Sequence, residues 1–219
     1  MERFIIGIDE VGRGALAGPV AVSAVCIPRK LRIRNQELGA LKDSKKLTAR
    51  QRERWAGYIK NHPGISYAIA RVYPRGVDGM NIASAANLAA LRAFRKLITN
   101  RQALITKCKV ILDGGLYLGN NSPRLSLPAG RQARPSRRLS ARTIVRGDEK
   151  FAAVKLASIV AKVSRDRYMV KLHKKYPQYG FAIHKGYGTK RHFAALRRHG
   201  PSEVHRLSFL RTLLAAQRA

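Results

Sequence analysis

The chain has 219 residues, 45% of them hydrophobic, which suffices for one sizeable α/β domain with a real core. Its 44 lysines and arginines against 12 acids leave a formal net charge of +32 and a pI near 11.4, so a polyanion is the expected partner, nucleic acid first. No apolar run approaches the ~20 residues of a membrane span, and Met1-Glu2-Arg3 runs straight into an apolar segment rather than a signal peptide, so a cytoplasmic protein is expected. Charge alone does not separate an enzyme from a ribosome-associated or generally basic protein.

Residues 4–10 form an apolar, β-branched run that stops at two adjacent acids, Asp9 and Glu10, followed by Val11-Gly12-Arg13-Gly14. Side chains alternate along a strand, so both acids can serve one site only if the chain bends there, and Gly12 and Gly14 permit a bend. Arg13 between them is a permanently charged planar donor suited to phosphate or sugar oxygens. The alternative is a strand that ends in a solvated turn. Residues 18–28 are again apolar and pair with the first run as a hairpin. Residues 47–60 read as a surface helix with Trp55 and Ile59 on one face and Thr48 as N-cap. A strand over residues 66–73 and a long Ala- and Leu-rich helix over residues 81–98 follow. The strand at residues 109–113 again ends in an acid, Asp113. Cys26 and Cys108 lie in strand-like apolar segments without metal-ligand spacing and read as reduced core residues.

Residues 117–142 break the pattern with Pro, Gly, Ser and many arginines, a composition that cannot bury enough apolar surface to offset chain ordering, and read as a basic loop. A strand around residues 143–145, Asp148 just beyond it, and a helix over residues 151–168 follow. Residues 171–179 are basic with interleaved tyrosines, and residues 203–218 read as a C-terminal helix. The alternation supports a mixed sheet with covering helices.

Four of the few acids thus lie at or just beyond strand ends, where ligands of open α/β sheets sit. Carboxylates about 4 Å apart repel by roughly 4 kcal/mol at an effective dielectric near 20, so their convergence calls for a cation. An all-oxygen set without histidine or cysteine suits Mg²⁺ or Mn²⁺ rather than zinc. Two such ions can drive phosphodiester hydrolysis. Asp166 is a further acid, though pairing with Arg165 or Lys162 along its own helix accounts for it equally simply. Asn81 and Ser158 either face a duplex or act as cap and packing residues.

The run Asp9-Glu10-Val11-Gly12-Arg13-Gly14 followed by Ala15-Leu16-Ala17-Gly18-Pro19-Val20 resembles the N-terminal signature of ribonuclease HII, the type 2 ribonuclease H. Further matches recur in order: Asp43-Ser44-Lys45-Lys46-Leu47, Ile111-Leu112-Asp113-Gly114, Gly147-Asp148, the stretch from Ala157 to Arg167, and His184-Lys185-Gly186-Tyr187-Gly188-Thr189. They span most of residues 4–192. The resemblance implies a ribonuclease H-like α/β fold, a mixed central sheet flanked by helices with a helical C-terminal part. It implies a catalytic unit over residues 1–170 and a basic helical extension over residues 171–219 packed on it.

By the same resemblance Asp9, Glu10, Asp113 and Asp148 are the catalytic, metal-binding carboxylates for Mg²⁺ or Mn²⁺. Gly12, Arg13 and Gly14 grip the ribonucleotide through its 2′-hydroxyl, Lys45 and Lys46 meet phosphate, and Tyr187 stacks on the next sugar. Without the resemblance Tyr187 is a half-buried packing aromatic and the lysines are solvated; His184 is too weakly specified to count as a catalyst. The implied activity is cleavage of RNA in RNA/DNA hybrids and at ribonucleotides embedded in duplex DNA, leaving 5′-phosphate and 3′-hydroxyl ends, by a monomer. The type 3 relative carries a substrate-binding domain before this signature, for which Asp9 leaves no room. A nonenzymatic basic RNA-binding protein on the same fold is the rival from another class, and it has no use for the four acids.

Overall fold

The computed structural model describes residues 3–31, 33, 38–99, 108–118, 141–211 and 215. β1 (Phe4–Val11) and β2 (Val20–Pro28) form the expected hairpin, and β3 (Ser66–Val72) pairs antiparallel with β2. β4 (Cys108–Asp113) lies parallel to β1 on its other side, and β5 (Ala141–Ile144) parallel to β4. The sheet order is therefore β3-β2-β1-β4-β5, which brings the carboxyl ends of β1, β4 and β5 to one edge. Cys26 and Cys108 are both buried in strands.

Alternation divides the strand side chains between two cores. Ile6, Ile8, Val22 and Ala24 face α3 (Ile82–Thr99), whose Ala85, Ala89, Ala93 and Phe94 are fully buried against them. On the opposite face Val25 and Ile27 meet Trp55 and Ile59 of α1 (Ala49–Asn61) and Leu156, Ile159 and Val160 of α5 (Ala152–Lys175). Thr48 caps α1 with a complete capping box, its hydroxyl accepting from the Gln51 amide at 3.2 Å. α5 crosses β1 so closely that a Cβ on Gly7 would lie 2.2 Å from the Ala153 carbonyl carbon, so only glycine fits there.

Some expectations need correction. α2 (Pro74–Met80), opened by a proline at its first turn, precedes α3 and was not foreseen. Asn81 takes the capping alternative: it has φ +70° between the two helices and its Oδ1 accepts from the Ser84 amide. The expected loop ends too late, since Ala141 and Arg142 belong to β5; residues 119–140, with Arg131, Arg134, Arg137 and Arg138, lie outside the described residues.

The expected helix from Glu203 does not form over residues 203–210. His205 pairs with Ala17 in an isolated bridge, and only Leu207–Phe209 makes a 3₁₀ turn. Asp78 of α2 takes the amides of Leu207 and Ser208, and Arg206 is drawn fully into the interior, so tertiary partners overrule the local pattern. The chain between α5 and that point adds the short α6 (Phe181–His184) and α7 (Lys190–His199). Their apolar side chains pack with Leu16, Ala17, Met169 and Leu172. Among the described residues no helix is long and apolar enough to cross a membrane.

Candidate active site

Asp9 and Glu10 sit at the end of β1 and Asp113 at the end of the neighbouring β4. One carboxylate oxygen from each lies within 4.8 Å of the others. The bend expected at the acids is absent, because β1 stays in register with β2 through Val11↔Ala21. Its pairing with β4 stops at Ile8↔Leu112, so the acids lie just past the last β1–β4 pair while β1 stays paired with β2 and β4 with β5 through Asp113↔Ile144. The backbone departs at Gly12, with φ +84°, where a Cβ would lie 2.1 Å from Arg165 Nε.

The three carboxylates are held by different partners. Asp9 is buried and accepts from the Glu10 amide at 2.7 Å, and the Ser158 hydroxyl beside it favours its ionised form. Ser158 in turn shares a hydrogen bond of 2.7 Å with Ser44, which stands in the 3₁₀ turn Ser44–Lys46. Ser158 thus lies beside Asp9 with Ser44 as its partner, and the Asp43-Ser44-Lys45-Lys46 run reaches the site through its serine as well as its lysines. Spacing in the sequence carried no sign of this contact, which joins residues 114 positions apart.

Glu10 receives the Arg13 guanidinium at 3.2 Å, and the same nitrogen donates to the Gly115 carbonyl, so the arginine expected to meet substrate rests here on an acid of the cluster. Asp113 Oδ1 accepts the amide of Gly147 at 2.7 Å, which docks the short helix α4 (Gly147–Lys150) beside it. Asp148 on that helix is buried but stands outside the three-acid group; its Oδ2 lies 3.9 Å from Lys45 Nζ. Lys46 is exposed next to it. Asp166 pairs with Lys162 at 2.9 Å, the intrahelical bond that accounts for it without the site.

The electrostatics are those of a site short of positive charge, in a chain otherwise rich in it. Burial pushes the Asp9 carboxyl well above the usual carboxylate range, and repulsion from Glu10 and Asp113 adds to it. Burial raises Glu10 too, against the pull of Arg13. Asp148 is raised by burial and by Asp113. Burial works to lower Lys45, but Asp43, Asp148, Asp9 and Asp113 together outweigh it and hold its ammonium protonated more firmly than usual. Glu10 Oε2 is buried with no hydrogen-bond partner. An orphaned carboxylate oxygen within an all-oxygen cluster fits a hard divalent cation, with Asp9, Glu10 and Asp113 as the residues that could hold it.

Beyond Gly12 the loop interlocks with two distant segments. Ala15 bridges Tyr187, the amides of Leu16 and Ala17 both donate to the Gly186 carbonyl, and the Arg206 amide donates to the Leu16 carbonyl. Tyr187 is half-buried, with the Arg165 guanidinium 5.3 Å and Lys162 Nζ 6.0 Å from its ring centre. The Gly12–Arg13–Gly14 turn and Tyr187, far apart in sequence, thus border the same edge as the acids.

A family model described as Ribonuclease HII matches residues 6–212. The chain belongs to the ribonuclease HII family. It is 40% identical over 213 residues to the ribonuclease HII of Caldicellulosiruptor bescii, covering 97% of this chain and 89% of that one. In fold it is similar to the ribonuclease H2 of Pyrococcus horikoshii, with a TM-score of 0.70, 24% identity and coverage of 98% and 99% of the two chains. The structure of Bst-RNase HIII in complex with Mn²⁺ matches with a TM-score of 0.68 and 22% identity, over 100% of this chain and 71% of that one. As a ribonuclease HII the chain is a metal-binding hydrolase of the ribonuclease H type, which removes the nonenzymatic alternative. It carries the mixed sheet and flanking helices that its motifs implied.

Proposed function

We propose that the chain cleaves the RNA strand of RNA/DNA hybrids and cuts duplex DNA at embedded ribonucleotides, leaving 5′-phosphate and 3′-hydroxyl ends. The observation that carries this reading is the group of Asp9, Glu10 and Asp113, whose oxygens lie within 4.8 Å of one another around an unpartnered Glu10 Oε2. In a protein that only bound RNA, this buried repulsion would serve nothing. Asp9, Glu10 and Asp113 would hold the cation, and Asp148, 3.9 Å from Lys45 Nζ, would complete the carboxylate set. When bound, Mg²⁺ or Mn²⁺ supplies an activated water and neutralises charge on the phosphodiester.

The remaining residues position the substrate. Ser158 and Ser44 fix the Asp9 carboxylate, and Arg13 either steadies Glu10 or swings to a phosphate once a cation replaces it. The backbone of Gly12–Arg13–Gly14 addresses the 2′-hydroxyl, the group that tells RNA from DNA. Tyr187, half-buried beside the Arg165 guanidinium, stacks on the neighbouring sugar. Lys45 and Lys46 line the approach for phosphates. The test is a cleavage assay on a DNA duplex with one ribonucleotide beside an all-DNA control, with Mg²⁺, Mn²⁺ or chelator. Metal-dependent cutting at the ribonucleotide alone supports the reading, and cutting of both duplexes or of neither refutes it.

A further inference from the structure

Two arginines, Arg165 and Arg206, are wholly buried, and among the described residues neither pairs with a carboxylate. Burying a cation without a counter-charge is costly, so their partners have to compensate fully. Among the described residues every hydrogen-bond partner is a backbone carbonyl of the loops at Gly12–Pro19 and Lys185. Arg206 donates through Nη2 to the Gly12 carbonyl at 2.7 Å, through Nη1 to that of Arg13 at 2.8 Å, and through Nε and Nη2 to that of Gly18 at 3.1 and 3.0 Å. Arg165 donates to the carbonyls of Pro19 and Lys185, each at 2.9 Å, and of Ala17 at 3.1 Å. Burial, and next to it repulsion from Arg165, brings Arg206 down to about 10.

A chain of neutral histidines joins the same elements. The Tyr187 carbonyl can only accept, so His192 Nδ1 donates to it at 3.0 Å and His192 Nε2 is left to accept. His205 Nε2 donates to it at 3.1 Å, and His205 Nδ1 accepts from the Ser202 amide at 3.0 Å. One tautomer of each ring satisfies every contact, and the chain ties the segment carrying Arg206 to Tyr187.

The peptide unit is planar and trans, so its N–H points opposite to its C=O. With the carbonyls of Gly12 and Arg13 both turned inward onto one guanidinium, the amides of Arg13 and Gly14 face the other way. Gly14 is exposed, and a Cβ there would meet nothing within 4 Å. Two successive amides aimed outward form a concave donor site for an oxygen.

We infer that Arg206 is a positioning residue for ribonucleotide recognition: with Arg165 and the His192–His205 chain it sets the peptide planes that aim the Arg13 and Gly14 amides at the 2′-hydroxyl and holds them in register with Tyr187. The inference rests on the proposed cleavage at ribonucleotides. It is tested in the full chain carrying Asp9→Asn to prevent turnover, by measuring affinity for a DNA duplex with one ribonucleotide and for the same duplex in all-DNA form. Arg206→Lys keeps the charge but cannot span two carbonyls in the fixed fork of a guanidinium. It should cut the preference for the ribonucleotide about tenfold, the equivalent of roughly 1.4 kcal/mol and the worth of one hydrogen bond, with all-DNA affinity unchanged. General loosening of the fold would weaken both affinities alike, and that result overturns the inference.

A parent that shows no preference overturns the proposed function and the inference together, whereas a preference retained in Arg206→Lys overturns the inference alone. Should Arg206→Lys not fold, the histidine chain decides. His205→Leu removes the donor to His192 and should lose the preference, while His205→Gln keeps an N–H there and should retain it; retention in His205→Leu refutes the positioning role.

Discussion

Asp9→Asn should stabilise the metal-free protein while abolishing its activity. Asp9 lies within 4.8 Å of both Glu10 and Asp113, and at an effective dielectric near 20 each such pair of full charges repels by about 3.5 kcal/mol. Two neighbours would make that about 7 kcal/mol, but the raised proton affinities of Asp9 and Glu10 already discharge part of it, and an amide leaves one oxygen contact of Ser158 or the Glu10 amide less well met. A net gain of about 1–3 kcal/mol is the reasonable expectation, or roughly 2–10 °C in melting temperature for a chain of this size. The measurement is denaturation of parent and variant in chelator near neutral pH, repeated in Mn²⁺. At a hundredfold excess over its Kd, the ion should stabilise the parent by about 2.7 kcal/mol and the variant far less, so the order of stability reverses. A variant that is no more stable than the parent in chelator would refute the view that unneutralised repulsion dominates this edge, and substantial metal-dependent cleavage by it would remove Asp9 from the ligand set.

Acid should weaken the fold through the histidines. Burial holds His192 and His205 at about 4, below the unfolded value near 6.5, so their contribution is complete above that value and is lost as pH falls from it toward 4. The loss is up to roughly 3 kcal/mol per ring, and His205→Gln should show a smaller drop in melting temperature between neutral pH and about pH 5 than the parent; an equal drop would place the acid sensitivity elsewhere. Gly7→Ala should lower stability by about 1–3 kcal/mol or more, because its methyl would meet the backbone of Ala153 and Val154 at 2.2 to 2.4 Å and backbone cannot step aside; a neutral effect in denaturant melts would mean α5 can lift off β1. Tyr187→Ala should lower cleavage at an isolated ribonucleotide about tenfold with little change in all-DNA affinity, since a ring contact is local whereas charge attraction is spread over the surface. Equal losses in the two assays would mark the tyrosine as a packing residue.

Most of the sheet was legible in the sequence because β1, β2 and β4 are apolar runs closed by a turn or an acid, whereas the polar β5 was only half seen. The residues 81–98 helix was legible because eight of its residues are buried along one stripe. The C-terminal segment was not, since the spacing of Val204, Leu207 and Leu210 mimics a helix while the decisive partners, Asp78 and the carbonyls of Gly12 and Arg13, lie more than 120 positions away. The acids were visible as strand endings. Their geometry was not: alternation demanded a bend, and the structure instead ends the β1–β4 pairing one residue earlier.

The loop from Gly12 to Pro19 connects two charge centres that are each incomplete by design. At its start three carboxylates gather, and among the described residues Arg13 is the one cation ion-paired with them. Along its inner face two guanidiniums gather, with no carboxylate ion-paired to either among the described residues, and give their hydrogen bonds to backbone carbonyls. On the proposed function the first centre is satisfied from outside, by a divalent ion; the second is met from inside, and its cost is offset by fixing backbone that no side chain could fix. A glycine-rich turn has the freedom to approach a ribose but no side chains to hold its shape. Arg206 and Arg165 hold that shape through the carbonyls of Gly12, Arg13, Ala17, Gly18 and Pro19, the rigidity that the proposed reading of a single hydroxyl requires.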